Sequence, residues 1–122
     1  NLMANVSKVE GIPLLVSKVQ VRDSEVLRNM TDVLRAKLQS GIVVLGAVIE
    51  GKVNFIVAAT ADVTAKGVHA GKIIKEIARL AGGGGGGKPD LAQAGGKDVA
   101  KLDEALAKAP EIVRQQLPAE NK

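Results

Sequence analysis

The chain has no cysteine, a single histidine (His69) and a single aromatic ring (Phe55) in 122 residues. Without cysteine, disulfides and thiolate metal sites are excluded. One histidine cannot build a two-histidine or histidine-rich zinc motif. The shortage of rings bears most directly on function. Proteins that grip single-stranded nucleic acid usually stack its bases on aromatic faces, and an aromatic content of 1% offers almost none. An RNA ligand would have to be read through its backbone and shape, with arginine planes available for stacking. No apolar run approaches the ~18 residues of a membrane span, so no membrane partner is expected. The start, Asn1-Leu2-Met3-Ala4, lacks the basic-then-apolar pattern of a secretory signal. The chain opens on Asn1 rather than Met, the expectation for a segment of a longer protein, and a cytoplasmic setting is expected.

What is present suits one modest core. The length is one domain's worth, and 46% apolar residues, mostly Ala, Val, Leu and Ile, is ordinary for an α/β or α+β domain. The net charge is +4 and unevenly spread. Residues 1–80 carry 11 Lys and Arg against 7 Asp and Glu, whereas residues 81–122 carry 6 against 6. The whole excess therefore lies upstream of residue 81, a basic bias that permits polyanion binding without requiring it.

Residues 1–10 read as the end of a preceding helical connection. Ile12 to Val21 alternates as a strand, with Pro13 suited to its start or to an edge. Asp23 or Ser24 caps a helix to about Gln39, whose Val26, Leu27, Met30, Val33, Leu34 and Leu38 repeat as one apolar stripe. Ile42 to Ile49 is a nearly unbroken apolar run, the pattern of a strand buried on both faces. Glu50-Gly51 makes a tight turn and Val53 to Ala59 returns antiparallel. Thr60 to Gly67 reads as polar connection. His69 to Leu80 forms a second helix, with Ile73, Ile74, Ile77 and Leu80 inward and Lys72, Lys75 and Arg79 stacked along the other side. Asp98 caps a third helix, Pro110 starts a short last one, and Pro118 ends it. The expectation is a single α+β domain: a small, mostly antiparallel β-sheet backed by helices.

Six consecutive glycines, Gly82 to Gly87, precede Lys88-Pro89, and Ala94-Gly95-Gly96-Lys97 follows shortly after. Glycine is the costliest residue to order, and six together prefer neither helix nor strand. The run matches the opening of a phosphate-binding P-loop, but Pro89 stands where Ser or Thr should hold magnesium, and the run follows a helix instead of a strand. It satisfies the dinucleotide fingerprint trivially and fails on the same topology. Two readings stay open at this level: a flexible linker, or a loop whose bare amides cradle an anion beside flanking cations. His69 has no neighbour suited to a catalytic dyad and reads as a helix-capping residue, with RNA contact as the alternative. Asp62, Asp90, Asp98, Asp103 and Glu104 show no metal-cage spacing.

The stretch His69 to Leu106 carries HAGK, GGGGGGKPD, AQAGGKD and KLDEAL in order. It closely resembles the C-terminal domain of alanyl-tRNA synthetase, in the DHH-associated domain family. It is more distantly similar to the domain that accompanies DHH phosphoesterases. The resemblance covers roughly residues 11–117, with 118–122 as a tail. It implies a non-catalytic domain that holds the tRNA elbow, where the D and T loops meet, and so couples charging with editing of mischarged tRNA. The implied partners are tRNA, alanine tRNA in particular, and the aminoacylation and editing domains of the same protein. ATP, magnesium and zinc would belong to those domains and not to this one. Carried over by position, the RNA contacts are His69, Lys72, Lys75, Arg79, the six glycines Gly82, Gly83, Gly84, Gly85, Gly86 and Gly87, Lys88, Gly95, Gly96 and Lys97. Two rival functions accompany this one. Some relatives dimerise through this region, so a dimerisation module is one. The substrate-holding half of a DHH-type nuclease is the other.

Overall fold

A computed structural model describes residues 2–118. Six strands form one sheet in the order β1-β2-β3-β4-β6-β5: β1 Val6–Val9, β2 Ile12–Lys18, β3 Ile42–Ile49, β4 Lys52–Ala59, β5 Gly84–Gly87 and β6 Leu91–Gly96. The helices are α1 Ser24–Leu38, α2 Ala61–Thr64, α3 Ala70–Leu80, α4 Leu102–Ala107 and α5 Ala109–Gln116. Only β2 and β3 pair parallel, the crossover being α1; the other neighbours are antiparallel. The expected α+β class therefore holds.

The sheet carries helices on both faces, and period-2 alternation sorts its residues between two cores. On one side Leu14, Ile42, Val44, Phe55 and Val57 pack with Ile73, Ile74 and Ile77 of α3 and with α4 and α5. On the other, Leu15, Val43, Leu45 and Ile56 pack with Leu27 and Leu34 of α1. Thus β3 is buried on both faces, as its unbroken apolar run predicts. Phe55, 1% exposed, is wholly committed to this core.

Helix α1 begins where expected: the Asp23 carboxylate accepts the Val26 N–H at 2.9 Å. Its buried stripe is narrower than the apolar pattern suggests. Leu27, Thr31 and Leu34 are buried, while Val33 is 54% exposed. Thr31 tolerates burial because its hydroxyl donates to the Leu27 carbonyl at 2.8 Å. Leu80, expected inward, sits on the last turn of α3 and is 37% exposed.

Four further segments differ from the sequence reading. Residues 6–9 are not the end of a helical connection; they form edge strand β1, in register with β2. The turn between them, Glu10-Gly11, has φ of 50° and 83°, and Glu50-Gly51 repeats it at 51° and 80°. Positive φ at both central residues is what a two-residue hairpin turn needs. The strand from Ile12 stops at Lys18, short of Val21. Residues 60–67, expected as plain connection, contain the single turn of α2. Asp98 does not cap with its side chain; it precedes a 3-10 turn, Val99–Lys101, that leads into α4. Of the expected tail, residues 119–122 lie outside the described residues.

A polar knot fastens the start of β3 to the start of α2. Ser40 and Thr60 hydroxyls each donate to Asp62 at 2.5 Å, and Thr60 Oγ1 accepts the Gly41 N–H at 3.0 Å. The Ser40 bond first, then the Thr60 bond, holds the Asp62 carboxyl below the ordinary aspartate value of 3.8. A depressed folded-state pKa stabilises the fold above 3.8, and that contribution is lost as pH falls through the folded value. Ser40→Ala should therefore raise the Asp62 titration midpoint, read by carboxyl NMR. The stability gap between variant and parent should close on acidification below 3.8.

Candidate nucleic-acid interface

The glycine run is not a linker. Gly84–Gly87 is strand β5, paired with β6 in the register Gly84↔Gly95, Gly85↔Ala94, Gly86↔Gln93 and Gly87↔Ala92. Antiparallel pairing supplies what local propensity withholds, and only small residues allow so close a pairing. A Cβ on Gly83 would collide with the Gly95 carbonyl, one on Gly85 would lie 2.5 Å from Ala94 Cβ, and one on Gly87 would lie 2.7 Å from Ala92 Cβ. Gly84 and Gly86 differ: a Cβ there meets nothing within 4 Å, and neither has positive φ. The fold itself gives no reason for those two to be glycine.

Helix α3 runs back along this ribbon and is fastened to it by main chain. At its C-terminal end, Gly83 N–H donates to the Ala78 carbonyl at 2.9 Å, and Lys97 and Asp98 N–H both donate to the Ala81 carbonyl at 3.0 Å. At its N-terminal end, Ala70 N–H donates to the Pro89 carbonyl at 2.8 Å and Gly71 N–H to the Lys88 carbonyl at 3.1 Å. His69 completes the cap. Its Nδ1 accepts the Lys72 N–H at 3.2 Å, while Gln116 Oε1 receives the His69 N–H at 3.0 Å. The amino end of α3 is thus occupied by protein acceptors and offers no free amides to an anion.

The cations lie on the opposite side of α3 from its isoleucines. Lys72, Lys75, Glu76 and Arg79 occur at helical spacing and, with Gly83, Gly84 and Gly85, line one cleft of about 440 Å³. Lys88 N–H donates to the Leu91 carbonyl at 3.0 Å, so residues 88 and 91 form a hydrogen-bonded pair. Alternation along the ladder makes 85↔94 a non-bonded pair, which turns the Gly85 N–H and C=O away from β6. One strand end therefore brings bare peptide to the cleft that three cations line.

The structure separates the other expected contacts. Gly95 and Gly96 line a different cleft, about 390 Å³, with Arg22, Lys52 and Asn54. Lys88 stands at the β5–β6 turn and Lys97 beyond the end of β6, both exposed. Gly82 makes the turn out of α3, with φ of 73°. Gly86 and Gly87 continue the ribbon past the cleft, and the Gly87 carbonyl packs so near Gly71 that a Cβ there would strike it. Glu76 was not anticipated. It faces the cleft and contacts Arg79 Nη2 at 3.6 Å; its place four residues after Lys72 was the available signal.

Among known proteins, the description of the DHHA1 domain matches residues 11–115. The alanine–tRNA ligase of Desulfitobacterium hafniense (strain Y51) is 51% identical over 96% of the chain, and that of Acetivibrio thermocellus is 52% identical over the same share. The chain spans 13% of the length of each of these relatives. Among solved structures, the C-Ala domain from Aquifex aeolicus alanyl-tRNA synthetase superposes with a TM-score of 0.79 at 32% identity. That match covers 89% of this chain and 97% of the other. A DHH-domain member of the s1p family of ribosomal proteins matches with a TM-score of 0.61 at 16% identity, over 96% of this chain and 29% of the other. It shares the fold.

Two sets of variants separate scaffold from surface. Gly86→Ala should stabilise the domain by ~0.4–1 kcal/mol through the unfolded chain, whereas Gly83→Ala should destabilise it by more than that, read by urea unfolding. His69→Ala should cost ~0.5–2 kcal/mol as a lost cap, and His69→Asn should restore most of it.

Proposed function

The chain belongs to the DHHA1 domain family, as a C-Ala domain of the kind carried by alanyl-tRNA synthetases, and from that premise we propose that it grips the elbow of tRNA. The observation that carries this reading is the meeting of Lys72, Lys75 and Arg79 with the bare backbone of Gly83–Gly85 around one cleft. Cations on a helix face neutralise phosphates. A strand end without side chains lets a ribose–phosphate chain come within hydrogen-bonding distance of its amides. The elbow is a folded RNA surface where two loops meet, so it presents phosphates and riboses in a fixed contour. Stacking on Phe55 is not available, because that ring lies in the core. Arg79, with a side chain 75% exposed, supplies the planar group.

The domain's part in the larger protein is tethering. Holding tRNA by its outer corner raises the effective concentration of the acceptor end at the aminoacylation and editing domains without tight affinity of its own. The chemistry then belongs to those domains. Among the described residues no group of three or more His, Cys, Asp or Glu is arranged to hold a metal. On this reading zinc, magnesium and ATP are the concern of the other parts of the parent ligase. Alanine tRNA is the partner this reading names.

Filter binding of the 122-residue chain to alanine tRNA, to an unrelated tRNA and to an elbow-less duplex tests the proposal. Both tRNAs should bind and the duplex should not. Lys72→Glu and Lys75→Glu should each weaken tRNA binding and lower the slope of log K against log salt by about 1 or more, as a lost phosphate contact does. Unchanged affinity in both variants, or equal binding of the duplex, defeats the reading.

A further inference from the structure

Glu76 is out of place in a cleft meant for phosphate. It projects from α3 between Lys72 and Arg79, lines the same cleft, and lies 3.6 Å from Arg79 Nη2. The pair is no stability device, because its side chains are 75% and 46% exposed and exposed pairs contribute little. Nor does Glu76 serve a helix end, since it occupies the middle of α3. It also lines a smaller groove with Leu80, Lys108, Ile112 and Gln115. The Glu76–Arg79 pair thus stands on the ridge between the two depressions.

An ionised carboxylate only accepts hydrogen bonds. A phosphate oxygen has no donor for it, so any polyanion entering the cleft meets a like charge beside its lysine partners. A ribose differs, because its 2′-hydroxyl both donates and accepts. In an RNA chain that hydroxyl sits on the ribose carbon next to the one that carries the 3′-phosphate. A phosphate on Lys72 and Lys75 would therefore carry a donor toward the next position on the same helix face.

We propose that Glu76 is the selectivity residue of this surface, accepting a ribose 2′-hydroxyl and penalising polyanions that cannot supply one. The inference rests on the tRNA-binding reading above and assigns one cleft residue a role that the cations cannot perform. Its mechanism combines attraction with repulsion: the right ligand offers the carboxylate a hydrogen-bond donor, and the wrong one is left opposing it. Arg79 takes part as Glu76's neighbour, because an RNA that engages the carboxylate releases the guanidinium to stack or to pair with phosphate.

Three probes separate the sources of binding: alanine tRNA, the all-deoxy strand of the same sequence, and inorganic polyphosphate, which has charge but no donor. The parent chain should prefer tRNA to both others. In Glu76→Ala, affinity for polyphosphate and the deoxy strand should rise by about tenfold while that for tRNA stays level or falls. Glu76→Gln keeps an accepting oxygen without the charge, so it should bind tRNA at least as well as the parent while losing discrimination against polyphosphate. If Glu76→Ala gains equally on all three probes, or on none, the proposal is overturned. If the parent chain fails to bind tRNA at all, the tRNA-binding reading falls instead. Circular dichroism melts of both variants should match the parent, as expected for a half-exposed side chain with no role in the core.

Discussion

Helix α3 meets the β5–β6 ribbon main chain to main chain at both of its ends, and the placement of every cleft residue follows from that. Side chains would hold the two apart. Gly71 lies against the Gly87 carbonyl, Gly83 against the Gly95 carbonyl, and a Cβ on Gly96 would come within 2.8 Å of the Ala81 carbonyl. Hydrogen bonds then close both seams, from Gly71 to Lys88 and from Lys97 to Ala81. Arg35 of α1 adds a bond at 3.2 Å to the Asp90 carbonyl in the ribbon's turn. With the ribbon fixed, the direction in which Lys72, Lys75, Glu76 and Arg79 project is fixed as well. Their opposite face is buried through Ile73, Ile74 and Ile77.

This arrangement changes what the glycines mean. The sequence invites one explanation for all six, but Gly82 is set by its positive φ and steric demand divides the other five by parity. Gly83, Gly85 and Gly87 are required by their neighbours across the ladder, as Gly71 is by the strand beside it. Gly84 and Gly86 face open space with ordinary extended backbone. Strand propensity disfavours glycine at such positions, so folding alone does not account for them. Their bareness is explained if something outside the chain must come close. The amino end of α3 would be the more familiar anion site, yet His69, Lys88 and Pro89 already saturate it. What remains open beside the ribbon is the helix face and the strand end.

How far the sequence led follows from which signals are local. The β3–β4 hairpin was legible because a two-residue Glu-Gly turn joins two apolar runs, and the α1 cap because Asp23 precedes a periodic segment. The Glu10-Gly11 turn carries the same dipeptide, but only the four residues of β1 precede it, too short a run to show a strand period. Strand β5 was not legible, since its pairing with β6 is a tertiary fact that overrides glycine's own preference. The cation stripe along α3 was legible from its spacing. That Gly95 and Gly96 line another cleft was not, although they stand close to the cluster in sequence and across the ladder. Linear proximity to a motif says little about which face of a sheet a residue serves.

The separation between the two clefts is itself informative. Gly84 pairs directly with Gly95, so the cleft beside α3 and the one beside Arg22 and Lys52 are divided by only the thickness of a two-stranded ribbon. A strand with ordinary side chains would stand taller and keep a ligand at a distance from the peptide plane on either side. Polyglycine makes that edge as thin as a polypeptide can be. Its order is maintained from elsewhere, by α3, by Arg35 and by the β6 ladder. The entropic penalty of ordering six glycines is thereby met by main-chain bonds and packing that add no side chain to the cleft. The exposed end of the strand is left without side chains, and Lys72, Lys75, Glu76 and Arg79 beside it are carried by a helix that main-chain bonds to the ribbon hold in place.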